Sequence, residues 1–167
     1  RLFYRELIAR FGHLPGVKWN LGEEHRLPSD GGNTDAQRRA FIDYTTSLEP
    51  YGHALVMHTS AGGSNYNALY GPLLGHPEFA GISLQIHGTA NNGSDNGAGA
   101  LTYSSIRDWR NRSANAGKKW IIAYDECCGW NTGVRPDQSN LNETRKDEMW
   151  GSLMAGGAGF EWYLGFD

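Results

Sequence analysis

An α/β fold built on a parallel sheet is what this chain predicts, and three observations carry that reading. Short apolar runs of strand length alternate along the chain with segments of helical periodicity. Each strand is separated from the next by a helix or a connection long enough to cross over, which implies parallel pairing through right-handed crossovers. Two of the strands end in acidic pairs, Glu23-Glu24 and Asp125-Glu126, roughly a hundred residues apart.

The elements follow in order. Leu2 to Arg10 reads as a helix with Phe3, Leu7, Ile8 and Phe11 on one face, stopped by Gly12 and Pro15-Gly16. Val17–Leu21 is the first strand, followed by a polar loop, Glu24 to Asn33, rich in Asp, Gly and Pro. Asn33 or Thr34 caps a second helix from about Asp35 to Leu48, ended by Pro50. His53–His58 and Gly81–His87 are the next strands, with a short helix expected around Asn67–Leu73 between them. Gly88–Ala100 reads as a flexible loop and Tyr103–Ala116 as a helix. Lys119–Glu126 is a strand, Cys127–Asn140 a long loop, Glu143–Ala155 a helix, and Ala158–Leu164 the last strand.

Composition narrows the function classes. The 167 residues are 39% hydrophobic and 20% charged, as in a globular chain with a real core. A net charge of −3 gives no basic footprint for nucleic acid, and no apolar run reaches membrane-spanning length. No Gly-x-Gly-x-x-Gly opens a helix after a strand and no Walker A lysine occurs, so nucleotide-binding versions of the fold lose support. Nothing calls for a cofactor. The two cysteines, Cys127 and Cys128, are adjacent; a bridge between neighbours is strained, and two thiols without a partner motif are no zinc site. Six Trp, eight Tyr and 23 Gly suit a sugar-binding cleft, although aromatics also fill cores.

The acidic pairs carry the chemistry. Parallel strands end at one rim, so two carboxylates from different strands can face each other there. One carboxylic acid and one carboxylate form the machinery of glycoside hydrolysis. The bland alternative is that such residues cap the following helices or lie solvated in loops. Five strands with about five helices exceed no single domain, yet a complete (β/α)8 barrel needs roughly 200 residues or more. Arg1 opens inside a helix and Asp167 follows a strand directly, and five strands alone would leave two unprotected edges. The expectation is therefore a partial (β/α)8 TIM barrel, from about the third helix through the eighth strand. Residues 1–167 would be the C-terminal portion of one catalytic barrel lacking its N-terminal strands, and the remainder of the barrel would be its partner.

Several motifs resemble clan A (β/α)8 glycoside hydrolases. Trp19-Asn20-Leu21-Gly22-Glu23-Glu24 looks like the end of the fourth strand of that clan, where an Asn-Glu pair supplies the acid/base. Asp125-Glu126 resembles the end of the seventh strand, where the nucleophile sits. Gly157–Tyr163 resembles the eighth strand with its sugar-stacking Trp, and His58 and His87 fit the ends of the fifth and sixth. Through Phe3–Gly12 and Arg145–Tyr163 the chain is most similar to bacterial polysaccharide-degrading proteins of the apiosidase-like and DUF5060-containing kind, a group in which a collagen-binding-type domain is also described. One position departs from the clan: its Asn is Glu23 here.

The resemblance implies a retaining O-glycosyl hydrolase acting on an oligo- or polysaccharide of plant or algal origin, secreted, periplasmic or on the cell surface. It implies Glu24 as acid/base and Glu126 as nucleophile. Glu23 and Asp125 would hold sugar hydroxyls or tune those two by like-charge proximity. Asn20, His58, Gln85 and His87 would contact hydroxyls, and Trp130 and Trp162 would be platforms; each His could equally be a plain strand-end residue, and Trp162 a filler. Glu161 is a lesser rival carboxylate, alternating with Trp162 along its strand. Two other classes compete: a non-catalytic carbohydrate-binding barrel relic, and a metal-dependent hydrolase or lyase using His58, His87 and Glu24. Ligand spacing of the His-x-His or His-x-x-x-His kind is missing, so no metal is expected.

Overall fold

A computed structural model describes residues 1–59, 65–86, 98–127 and 144–162. The fold is α/β. Helices and strands alternate as α1 (Leu2–Phe11), β1 (Trp19–Asn20), α2 (Asp35–Leu48), β2 (Leu55–His58), α3 (Tyr66–Tyr70), β3 (Gly81–Leu84), α4 (Ala98–Asn115), β4 (Ile121–Cys127), α5 (Trp150–Met154) and β5 (Gly159–Trp162). The five strands are all parallel and stand in the order of the sequence, in a sheet curled as a half-barrel.

That order decides where the core lies. Each right-handed crossover moves one place in the same direction, so successive helices fall on one face of the sheet. Register partners in a parallel sheet share a face. Met57, Ile82 and Ile122 form one such row, and Leu84, Tyr124 and Phe160 another. These side chains pack with Ile8 of α1, Ile42 of α2, Leu69 and Tyr70 of α3, and Ile106 and Trp109 of α4 in a single cluster. The opposite face carries the rows Asn20, Val56, Gly81, Ile121 and His58, Ser83, Ala123, Gly159. Apart from Val56 and Ile121 its side chains are small or polar; Ser83, His58 and Val56 are buried and Ile121 is exposed. The core is therefore on the helix side, and the inner face is a lined concavity.

Local signals account for most element boundaries. Thr34, not Asn33, caps α2: its Oγ1 accepts the Gln37 amide at 3.2 Å, while Gln37 Oε1 accepts the Thr34 amide at 2.8 Å. This reciprocal pair satisfies two donors that a helix start leaves open. Tyr4 of α1 donates its hydroxyl to the Asn20 carbonyl at 2.6 Å, fastening α1 to β1. Helix α4 begins at Ala98, so the last residues of the expected Gly88–Ala100 loop are helical. The rest of that loop lies outside the described residues, as does Cys128 to Asn140 of the second one. The expected helix Glu143–Ala155 divides into a π-helical turn, Thr144–Met149, and α5. Arg110 of α4 caps α5 by donating to the Ala155 carbonyl at 2.5 Å. No helix among the described residues is long and apolar enough to cross a membrane.

Candidate functional site

The site forms at the carboxyl ends of the strands because two ladders break there. Trp19 and Leu21 donate their amides to Ala54 and Val56 at 2.9 Å, in steps of two on both strands. The next donor to β2 is the His25 amide, bonded to His58 at 3.0 Å, and His25 pairs with Thr59. The first chain thus advances from Asn20 to His25 while its partner advances from Val56 to Thr59, leaving two residues in excess. Gly22 at φ +133° and Glu24 at φ +46° turn the chain through this bulge. A second bulge lies in β4. Tyr124 pairs with Phe160 and Cys127 with Trp162, three residues against two. Bulges of this kind interrupt pairing and re-aim side chains, and they recur beside active sites. Both acidic pairs stand on one.

Between the two bulges lies a cavity of about 210 Å³ lined by Asn20, Glu23, His58, Asp125 and Glu161. Its residues come from β1 and its bulge, β2, β4 and β5. Asn20 and Glu23 are exposed at its mouth and His58 is buried at its base. His58 Nδ1 lies 3.9 Å from Asp125 Oδ2, an ion-pair separation and longer than a hydrogen bond. Three carboxylates and one imidazole around one cavity can exchange protons with a bound ligand and accept its hydroxyl groups.

The sequence-derived candidates divide as follows. Asn20, Glu23, His58 and Asp125 are brought together. Glu24 is not among the lining residues; it pairs with Arg26 at 3.4 Å. Glu126 sits in the β4 bulge by its backbone, and Trp162 pairs with Cys127 by its backbone. The side chains of both, and the whole of His87 and Trp130, lie outside the described residues. Gln85 follows β3 and receives the Tyr66 hydroxyl on its carbonyl oxygen. Glu161, ranked below the pairs on sequence grounds, lines the cavity. Its place in register beyond Gly159, on the face that carries Ala123 and His58, is the signal that marks it.

A layer of tyrosines beneath the rim has no counterpart in the sequence motifs. Tyr70 donates to the Ser83 carbonyl at 3.0 Å, and Tyr124 donates to the Ile86 carbonyl at 2.7 Å. With Tyr66 they bind three carbonyls, one inside β3 at Ser83 and two just beyond its end at Gln85 and Ile86. Burial pushes the Tyr70 hydroxyl far above its ordinary range, and the nearby Tyr66 and Asp125 act in the same direction, so Tyr70 stays a donor. His25, behind the β1 bulge, is shifted downward by burial; its bond to the Leu21 carbonyl opposes this, while the Arg38 and His58 charges add to it. No cluster of three or more His, Cys, Asp or Glu side chains arranged to hold a metal ion occurs among the described residues.

No protein-family model, curated protein or solved structure matches the chain.

Proposed function

We propose that the chain is part of the (β/α)8 catalytic barrel of a retaining glycoside hydrolase that cleaves an oligo- or polysaccharide of plant or algal origin. One observation carries the reading: two bulged strand ends deliver carboxylates, Glu23 and Asp125, to a single cavity at the carboxyl rim of a parallel sheet. Active sites of such barrels are built at that rim. The strictly sequential strand order supports the barrel, because it puts the helices on one face and leaves the other to be covered by closure.

In this reading Glu23 replaces Glu24 as the acid/base, since Glu23 lines the cavity and Glu24 is turned to Arg26. Glu23 gives its proton to the glycosidic oxygen as the bond to the anomeric carbon breaks. Glu126, from the β4 bulge, attacks that carbon and forms the glycosyl-enzyme. Ionised Glu23 then takes a proton from water, which releases the sugar from Glu126. Asp125 and His58 flank the cavity and accept or donate to ring hydroxyls, as does Asn20. The cavity is smaller than the roughly 300–1,000 Å³ of pockets that enclose larger ligands, and suits a single sugar ring with the rest of the chain lying outside. Secretion or surface display is part of the proposal, because the substrate is an extracellular polymer.

Trapping tests it. A panel of 2-fluoroglycosyl fluorides is incubated with the protein, and the labelled peptide is located by mass spectrometry. A sugar adduct on Glu126 is the expected result. Binding of glycans without turnover or adduct would instead make the protein a carbohydrate-binding relic. Turnover abolished by EDTA and restored by a divalent cation would make it a metal-dependent enzyme.

A further inference from the structure

His25 has no part in the chemistry above, yet its ring closes the loop that carries Glu23. The residue directly after the bulge reaches back to the residue directly before it: His25 Nε2 lies 3.1 Å from the Leu21 carbonyl oxygen. Its backbone simultaneously rejoins the ladder through the His58 carbonyl at 3.0 Å. The ring also occupies the space beside Gly22. A Cβ at Gly22 would stand 3.1 Å from His25 Nε2, tighter than ordinary carbon contacts, and the φ of +133° there already disfavours any side chain. Three consecutive residues, two of them at positive φ, are thus held between a backbone bond and a side-chain bond of one residue. Without the second bond, the chain between Leu21 and His25 has no described fastening except the exposed Glu24–Arg26 pair.

We propose that His25 is a positioning residue: its Nε2–H bond to the Leu21 carbonyl fixes the two-residue bulge of β1 in the form that presents Glu23 to the cavity. The proposal rests on the reading of Glu23 as the acid/base. Because a carbonyl only accepts, Nε2 must carry the proton, and Nδ1 is then the unprotonated nitrogen of a neutral ring. Burial lowers the basicity of the ring, which favours this neutral form. A regular strand would place residue 23 opposite Thr59 and bond its amide to the His58 carbonyl, the place that residue 25 takes here. The His25 bond prevents that slip by spanning the extra residues.

The test compares His25→Gln, whose amide nitrogen mimics Nε2 and can still donate to Leu21, with His25→Leu, which fills similar space without a donor. Amide hydrogen exchange of residue 25 reads the bulge, and a carbon-13 titration of the Glu23 carboxyl reads its surroundings. In His25→Leu, exchange at residue 25 is expected to accelerate at least about tenfold and the Glu23 midpoint to move. His25→Gln is expected to restore both. Gly22→Ala, which drives a Cβ into the ring, should reproduce the leucine variant. Should His25→Leu fail to fold, His25→Asn, one carbon too short to reach Leu21, carries the same expectation. Unchanged exchange and an unchanged Glu23 titration in a folded leucine or asparagine variant would overturn the proposal. Neither measurement needs turnover. A protein that cleaves no sugar therefore sinks the hydrolase reading alone, and a sugar-cleaving protein indifferent to His25 sinks this inference alone. In an active enzyme the alkaline limb of the kcat/KM–pH profile, where the general acid loses its proton, should shift with His25→Leu and return with His25→Gln.

Discussion

Glu23 and Glu24 are neighbours in sequence and opposites in environment, so exchanging them one at a time should separate chemistry from stability. Glu23→Gln removes the cavity carboxylate while keeping its shape. If Glu23 is the acid, loss of general acid catalysis is worth about 10²–10⁴ in rate on substrates with poor leaving groups, or about 3–5 kcal/mol of transition-state stabilisation. Activated aryl glycosides, which need little protonation, should suffer far less. Glu24 makes a partly exposed pair with Arg26 at 3.4 Å, an interaction worth about 0–1 kcal/mol. It also sits at φ +46°, a conformation that costs a non-glycine residue about 1–2 kcal/mol. Glu24→Gly therefore removes more strain than attraction, and the net gain of up to about 1 kcal/mol should raise Tm by about 2–4 °C. Calorimetric melting and kinetics on paired substrates read both effects. A Glu24 variant that is inactive on poor leaving groups, beside a near-normal Glu23→Gln, would refute the assignment and restore Glu24 to the acid role.

Two further expectations concern the body of the fold. Glu49, buried at the end of α2, accepts the His53 amide at 2.9 Å and its Nδ1 at 2.8 Å. Burial pushes this carboxyl up, but these bonds and the Tyr51 and Gly52 amides outweigh it and hold the group below its ordinary 4.5. A depressed carboxyl contributes stability above its unfolded value and loses it as pH falls through the folded one. Chemical denaturation from about pH 7 to pH 3 should therefore show stability falling below about pH 4.5, less steeply in Glu49→Gln, which should be about 1.5–3 kcal/mol weaker at neutral pH. Gly81→Ala should be severe, because its Cβ would lie 2.0 Å from the Ile121 carbonyl oxygen. A cost of about 3 kcal/mol or more is expected by urea melting, against little change in Gly159→Ala, where no described atom lies within 4 Å of the Cβ position.

The alternation of helices and strands was legible because it is written in apolar period and in punctuation. Pro15-Gly16 and Pro50 bound real elements, and the Thr34–Gln37 spacing is a cap that sequence alone can find. Parallel order followed from connection length. What was not legible depends on partners. Val17–Leu21 reads as a five-residue strand, yet only Trp19–Asn20 forms regular ladder, since β1 is an edge and its neighbour β2 starts at Leu55. The π-helical turn before α5 and the helical start of α4 at Ala98 have no side-chain signature of their own. His25 reads as one more loop residue. Nothing in its local pattern says that the ladder resumes there, because register belongs to the pair of strands and not to either one.

The adjacency of the carboxylates itself carries structural information. On a regular strand, successive side chains point to opposite faces, so two consecutive acids would place one charge in the concavity and the other against the helices. The helix side here is a closed apolar cluster with Tyr124 and Phe160 stacked at 5.1 Å, and an ionised carboxylate there would be costly. A strand ending in two acids must therefore leave the ladder or insert a residue at that point, and this chain inserts: two residues at β1 and one at β4. The ends of β2 and β3, which show no such insertion among the described residues, carry His58 and Gln85 instead. Among the described residues, the rim carboxylates Glu23 and Asp125 stand where the backbone departs from regular pairing, and Glu161 faces the β4 departure from the neighbouring strand. Acidic doublets at strand ends thus mark bulges first and catalytic candidates second, and at β1 the bulge gives the cavity Glu23 and not Glu24.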